Sequence, residues 1–173
     1  TDRYAADILR AGCEQIGLSQ SSVIEFPQSA NDRTSRESVA AWRRAHIDID
    51  SEYSHLVFIE RVGPSHTLES AVTSSPDDPR SEIVAEFKRL VPDSDRDVCH
   101  NMRGESIDAY TVPLHMLVRQ DDEFAFGPPG PETIGIVDGG NEIGCGAVEW
   151  DVLRGAMPSD VTARIACRIR TSA

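Results

Sequence analysis

His55-Leu56-Val57-Phe58-Ile59 and Thr133-Ile134-Gly135-Ile136-Val137 are the two stretches that decide the fold. Each is a short, nearly continuous apolar run bounded by polar or turn-forming residues. That pattern predicts a strand buried on both faces, as in a parallel sheet. Helical patterns surround them. Tyr4 to Ile16 places Tyr4, Ile8 and Ala11 on one side with Leu9, Cys13 and Ile16 beside them, and Gly17 stands where a C-cap glycine belongs. Ser35 to Ala45 turns Val39, Trp42 and Ala45 to one side. Glu82 to Leu90 carries Ile83, Phe87 and Leu90 on one stripe and is ended by Pro92. Val148 to Ala156 is the last helical pattern, and Pro113 to Val118 starts a short helix.

Between these lie lesser elements. Ser22 to Phe26 reads as a short strand stopped by Pro27, and Arg164 to Ile169 alternates as a half-buried strand does. Asn31 to Arg33, Thr67 to Arg80 and Asn101 to Gly104 read as loops, Asp93 to Asp97 as a charged turn, and Phe126 to Pro131 as a stiff connector. Strands alternating with helices give an α/β class, a largely parallel sheet flanked by helices. No shift in composition marks a second domain, so residues 1–173 read as one domain. The chain opens on Thr1 and ends just after a strand-like run, which reads as a partial domain truncated at both ends.

Composition sets bounds on function. Hydrophobic residues make up 39% and charged residues 27%, as in ordinary globular proteins. With 29 acidic against 17 basic residues the net charge is -12, which repels nucleic-acid phosphates. No apolar stretch reaches the ~18 residues of a membrane span, and no signal peptide opens the chain. Cys13, Cys99, Cys145 and Cys167 include no CxxC pair. They read as reduced thiols of a cytoplasmic protein rather than zinc ligands.

Three segments can carry chemistry. In the first, Ile134 to Gly144, a strand delivers Asp138 at its carboxyl end, where open α/β sheets bind ligands. Gly139 and Gly140 permit close approach of the backbone to a ligand. Asn141 and Glu142 bring an amide and a second carboxylate to the same mouth. Oxygen donors at Asp138, Asn141 and Glu142 suit a divalent cation, Mg²⁺ or Mn²⁺.

In the second segment, Glu60 and Arg61 follow the other strand. If the strands are parallel neighbours, Glu60 lies beside Asp138. Two carboxylates there can hold a metal or divide acid and base roles. Arg61 can grip a substrate carboxylate with two hydrogen bonds.

The third segment is Cys99-His100-Asn101-Met102-Arg103-Gly104. Asn101 and Arg103 can hold an anionic ligand, and His100 can move protons near neutral pH. His66 and His115 are weaker ligand candidates.

In this order, Glu60-Arg61-Val62-Gly63-Pro64-Ser65-His66-Thr67, Asn101-Met102-Arg103-Gly104 and Asp138-Gly139-Gly140-Asn141-Glu142-Ile143-Gly144 resemble the family of D-glutamate cyclase-like C-terminal domains. Val137 stands where that family has Gly, and Cys145 where it has Met. The resemblance implies a lyase that cyclises D-glutamate to 5-oxo-D-proline with loss of water, assisted by the cation. It implies Glu60, Asp138 and Glu142 as catalytic residues. Arg61, Asn101, Arg103, Gly139 and Gly140 would bind a small carboxylate substrate. Glu60 and His100 both stand as candidate bases. The alternatives are a metal-dependent hydrolase of small phosphate esters and a ligand-binding module without turnover. An uncovered sheet edge would make the protein a homo-oligomer.

Overall fold

The computed structural model describes residues 1–28, 32–47, 53–69, 85, 87–89, 91–117, 131–148 and 150–156. The architecture is mixed α/β: helices and, among the described residues, a parallel sheet of two strands. The chain divides into two compact units, residues 1–52 with 108–127 and residues 53–107 with 128–173. The predicted strand Arg164 to Ile169, Cys167, most of the Thr67 to Arg80 loop and the connector up to Gly130 lie outside the described residues. So do Ile83 and Leu90 of the third helical stripe.

In the first unit, helix α1 spans Arg3–Gln15. The Asp2 carboxylate caps it, accepting from the Tyr4 and Ala5 amides at 3.0 Å each. Its far end closes through Gly17, at φ 75°, with Leu18 N donating to Cys13 O and Gly17 N to Glu14 O. That left-handed turn is the reason for a glycine there. The apolar stripe expected to be buried is largely exposed: Tyr4, Ile8, Leu9 and Ile16 all face solvent, and Ala6 is the buried member.

The expected strand at Ser22 to Phe26 is instead a 3₁₀ turn, Gln20–Ser22, followed by extended chain. The described backbone partner of that extended chain is a single residue. Phe26 N donates to Thr1 O, and the Thr1 amino group to Ile24 O. One residue cannot form a ladder.

Helix α2 spans Asp32–His46, taking in residues expected as loop. Val39 enters the core with Phe26, Val112, Met116 and Leu117, and Trp42 packs against them while donating its indole N–H to Glu25 O. Ala45, expected inward, is exposed. The short helix expected from Pro113 is a 3₁₀ turn, Leu114–Leu117.

The second unit holds strands β1, His55–Ile59, and β2, Glu132–Ile136. They pair in parallel with Phe58 opposite Gly135 and Ile59 opposite Ile136. Burial on both faces does not hold. Val57 and Ile59 are 52% and 60% exposed, as is much of Ile134 and Ile136, while Phe58 is buried. One face alone is covered, and Gly135 shows by what. A Cβ there would stand 2.6 Å from Ile143 O and 2.9 Å from Gly144 Cα. The loop after β2 therefore folds back onto its own strand, on the face Phe58 shares.

Beyond the strands the chain is stitched by short antiparallel bridges: Val62 with Glu142, Pro64 with Cys99, and His100 with Ser106. Ser65, fully buried, fastens the second of these. Its hydroxyl donates to Asp95 O at 2.6 Å and accepts from Val98 N at 3.2 Å. Phe87, in the helical residues 87–89, packs with Val91 and Leu68. Helix α3 spans Trp150–Ala156 and buries Leu153. No helix among the described residues is long and apolar enough to cross a membrane.

Candidate functional site

The parallel register sets the site's geography. Ile59 pairs with Ile136, so Glu60 and Asp138 leave the sheet at the same edge. The Glu60 amide extends the ladder by one bond, donating to Ile136 O at 2.8 Å. Glu60 then turns through φ 49°, a left-handed conformation that costs an L residue of order 1 kcal/mol. This reversal sends Arg61 to Gly63 back along the loop after β2. Ile143 N donates to Arg61 O at 2.7 Å and Gly63 N to Asn141 O at 3.0 Å. The segments expected to share a site are thus held together by main-chain bonds.

Within that frame the side chains divide by depth. Glu60 and Asp138 are exposed at the edge, Arg61 is half-buried, and Arg103 is exposed. Asn141 and Glu142 are buried, at 4% and 3% exposure. The Gly139-Gly140 turn makes this burial feasible. Gly140 takes φ 82°, and the Gly139 amide donates to Glu142 Oε1 at 2.9 Å. Cys145, buried as well, donates its thiol to Glu142 Oε2 at 3.6 Å. Burial pushes the Cys145 thiol up to about 11, and the adjacent carboxylate adds to the rise.

Asn141 links two of the three segments. Its Nδ2 donates to the main-chain carbonyl of His100 at 2.7 Å. The bond also fixes the amide's orientation, since a flipped amide would set two oxygens against each other. Asn141 Oδ1 is then left buried with no hydrogen-bond partner among the described residues. It points over Gly139: a Cβ on that glycine would stand 2.7 Å from Asn141 Oδ1 and 2.9 Å from Glu142 Oε1, and would collide with Met102 Sδ. Gly139 therefore leaves no room for a side chain: two oxygens and a thioether pack directly against it.

The other expected residues take different parts. Asn101 uses both ends of its amide within its own turn. Its oxygen accepts from Arg103 N and Glu105 N at 2.9 and 3.1 Å, and its nitrogen donates to Glu105 Oε2 at 2.7 Å. It shapes the turn that presents Met102 and Arg103. The His100 side chain is buried. The His66 ring meets Phe87 edge-on, with centroids 6.5 Å apart. Two contributors carry no sequence signal of their own. Met102 packs against Gly139 from the turn that the Asn141–His100 bond ties to this loop, and Cys145 meets Glu142 across the turn at Gly144, at φ 115°.

Mg²⁺ or Mn²⁺ on Asp138, Asn141 and Glu142 fits this arrangement poorly. Such ions take about six hard oxygen donors. Here Asp138 is exposed while the other two are buried, both Glu142 oxygens already accept hydrogen bonds, and the lining includes a thioether. No group of three His, Cys, Asp or Glu side chains converges as a metal site among the described residues.

No curated protein and no solved structure matches the chain. The family model of the D-glutamate cyclase-like, C-terminal domain matches residues 66–173, well over half of it. The matched span takes in the turn at Asn101 to Gly104, the strand β2 and the whole Asp138 to Cys145 loop, while Glu60 to Ser65 lie just upstream. With the first and third segments inside that span, the chain belongs to the D-glutamate cyclase-like family, through its C-terminal domain.

Proposed function

We propose that this protein is a lyase that closes D-glutamate to 5-oxo-D-proline and water. The observation that carries the reading is the register of β1 and β2. It sets two exposed carboxylates, Glu60 and Asp138, at one sheet edge beside Arg61. In the reaction the substrate nitrogen bonds to the γ-carboxyl carbon, and one oxygen leaves that carbon. The nitrogen gives up two protons and the departing oxygen gains two, leaving as water. Arg61 and Arg103 are suited to hold the two carboxylates of the substrate. Glu60 and Asp138, open to solvent, are placed to move protons between nitrogen and oxygen. Binding the substrate folded brings amine and carboxyl carbon together, which is the main demand of an intramolecular closure.

The reading is tested by incubating the protein with D-glutamate, with and without Mn²⁺ or Mg²⁺, and following 5-oxoproline by chromatography. Formation of the lactam supports it. No lactam under any condition, with a phosphate ester hydrolysed instead, removes it.

A further inference from the structure

We propose that Glu142 is a positioning residue: through the Gly139 amide it fixes the main chain from which Asp138 reaches the substrate. The inference rests on the cyclase reading above for what Asp138 does, while the tie itself has a readout without turnover.

By resemblance Glu142 would touch the reacting atoms, but its surroundings give it a different part. Glu142 is 3% exposed, and both its oxygens accept hydrogen bonds, Oε1 from Gly139 N at 2.9 Å and Oε2 from Cys145 Sγ at 3.6 Å. Asp138 is exposed. The carboxylate that can meet a substrate is therefore Asp138, and the buried one supports it from behind.

The bond falls where it matters to Asp138. Gly139 N belongs to the peptide plane that joins Asp138 to Gly139. That plane is rigid, so holding its N–H restrains the rotation between it and the Asp138 Cα. Asp138 needs such a hold. It leaves the strand into two successive glycines, whose backbone is the freest of any residue, and Gly140 turns through φ 82°. Glycine at 139 also lets the carboxylate come in, since an added Cβ would stand 2.9 Å from Glu142 Oε1.

Glu142 is itself firmly anchored. Its main chain bridges to Val62, and its neighbours bond to the same segment, Ile143 N to Arg61 O at 2.7 Å and Asn141 O from Gly63 N at 3.0 Å. One side chain thus ties the Asp138 main chain to the segment that follows Glu60. The two carboxylates at the sheet edge and Arg61 are held in place relative to each other. A carboxylate suits the task, because an N–H bond to a charged acceptor is roughly twice as strong as one between neutral groups.

Glu142→Gln and Glu142→Met, made in the whole chain, separate a positioning residue from a proton carrier. Gln still offers the Gly139 amide an oxygen, though a neutral one, and Met has similar length and offers none. Glu142→Met should lower kcat for D-glutamate roughly a hundredfold, the scale of a small misplacement of a reacting group. Glu142→Gln should stay roughly tenfold above it. KM should move less than kcat in both, because Arg61 and Arg103 hold the substrate. A proton carrier would lose about 10²- to 10⁴-fold in both variants alike, and that result overturns the proposal. So does wild-type kcat in Glu142→Met, or a defect confined to KM. If Glu142→Met does not fold, Glu142→Gln decides against Asp138→Asn: a higher kcat supports positioning, and one as low overturns it.

The Gly139 amide proton reads the tie without turnover. In NMR spectra it should lie downfield in the wild type, as for a bond to a carboxylate, move upfield in Glu142→Gln and move further in Glu142→Met. A resonance that Glu142→Met leaves unmoved would show that no such bond holds Asp138, and overturns the proposal. Wild-type protein that forms no lactam but shows the upfield steps removes the cyclase reading and keeps Glu142 as the residue that sets Asp138. Lactam formation with an unmoved resonance does the opposite.

Discussion

Asn141 donates its side-chain amide to the carbonyl of His100, 41 positions earlier in the chain, across 2.7 Å and out of reach of water. The bond joins the Asp138 to Cys145 loop to the turn that carries Met102 and Arg103. Asn141→Asp removes the donor and turns an anion toward a buried carbonyl. It should cost about 1–3 kcal/mol, the range for an unsatisfied buried polar group. Urea unfolding followed by circular dichroism measures it, and a loss within error of zero would mean the tie is not formed.

Gly135 permits the loop after β2 to lie on its own strand. In Gly135→Ala the new methyl would need the space of Ile143 O and Gly144 Cα, both backbone atoms. A loss of about 1–3 kcal/mol is expected, as for overpacking elsewhere. Activity should fall further than stability, since the displaced loop is the one that carries Glu142. Gly12→Ala is the control, with no atom within 4 Å of its added Cβ.

Arg103 and Asp138 separate binding from chemistry in the proposed reaction. Arg103→Met should raise KM for D-glutamate roughly tenfold or more while kcat changes little, because one charged contact to a carboxylate is lost. Asp138→Asn should lower kcat at nearly constant stability, because an exposed carboxylate carries little of the fold. Steady-state kinetics with thermal melts distinguishes them. A kcat defect confined to Arg103→Met would reverse the assignment.

The Cys145 thiol gives a pH signature. Its value rises from an ordinary 9.0 to about 11 in the folded chain, chiefly through burial. The unfolded chain therefore releases this proton first. The associated stability is fully present below pH 9 and is lost as pH climbs toward 11. The loss is of order 2–3 kcal/mol. Cys145→Ala should flatten that limb relative to wild type in urea titrations at several pH values. Matching curves for the two proteins would show that the thiol is not buried as described.

The sequence makes the strand pair, its parallel sense and the shared edge of Glu60 and Asp138 legible. Apolar runs that end in acids are local patterns, and parallel pairing is the ordinary solution for them. Which faces those runs bury is not legible. Val57 and Ile134 look the same in the sequence as residues of a two-sided core. The same holds for Tyr4 and Ile8, whose helical spacing is right but which lie in the open. Site depth escaped for another reason. Asp138 and Glu142 are both acids near paired glycines, yet Gly140 and the bridge to Val62 bury one and leave the other exposed. Asn101 reads as a ligand holder, but its oxygen is taken up by nearby amides, a competition that short polar side chains in turns commonly enter.

Parallel strands cannot be joined by a hairpin, and the bridge between Val62 and Glu142 inherits that constraint. The two segments that this bridge joins are therefore remote in the chain, so bringing them together is a late and entropically demanding event in folding. A nascent chain that has emerged only as far as His100 holds Arg61, Gly63 and the His100 carbonyl but none of the loop residues that bond to them. Maturation of the site and completion of the fold should thus register as one event. In hydrogen exchange, the Gly63 and Ile143 amides, which bond across that closure, should gain protection together with the appearance of ligand binding.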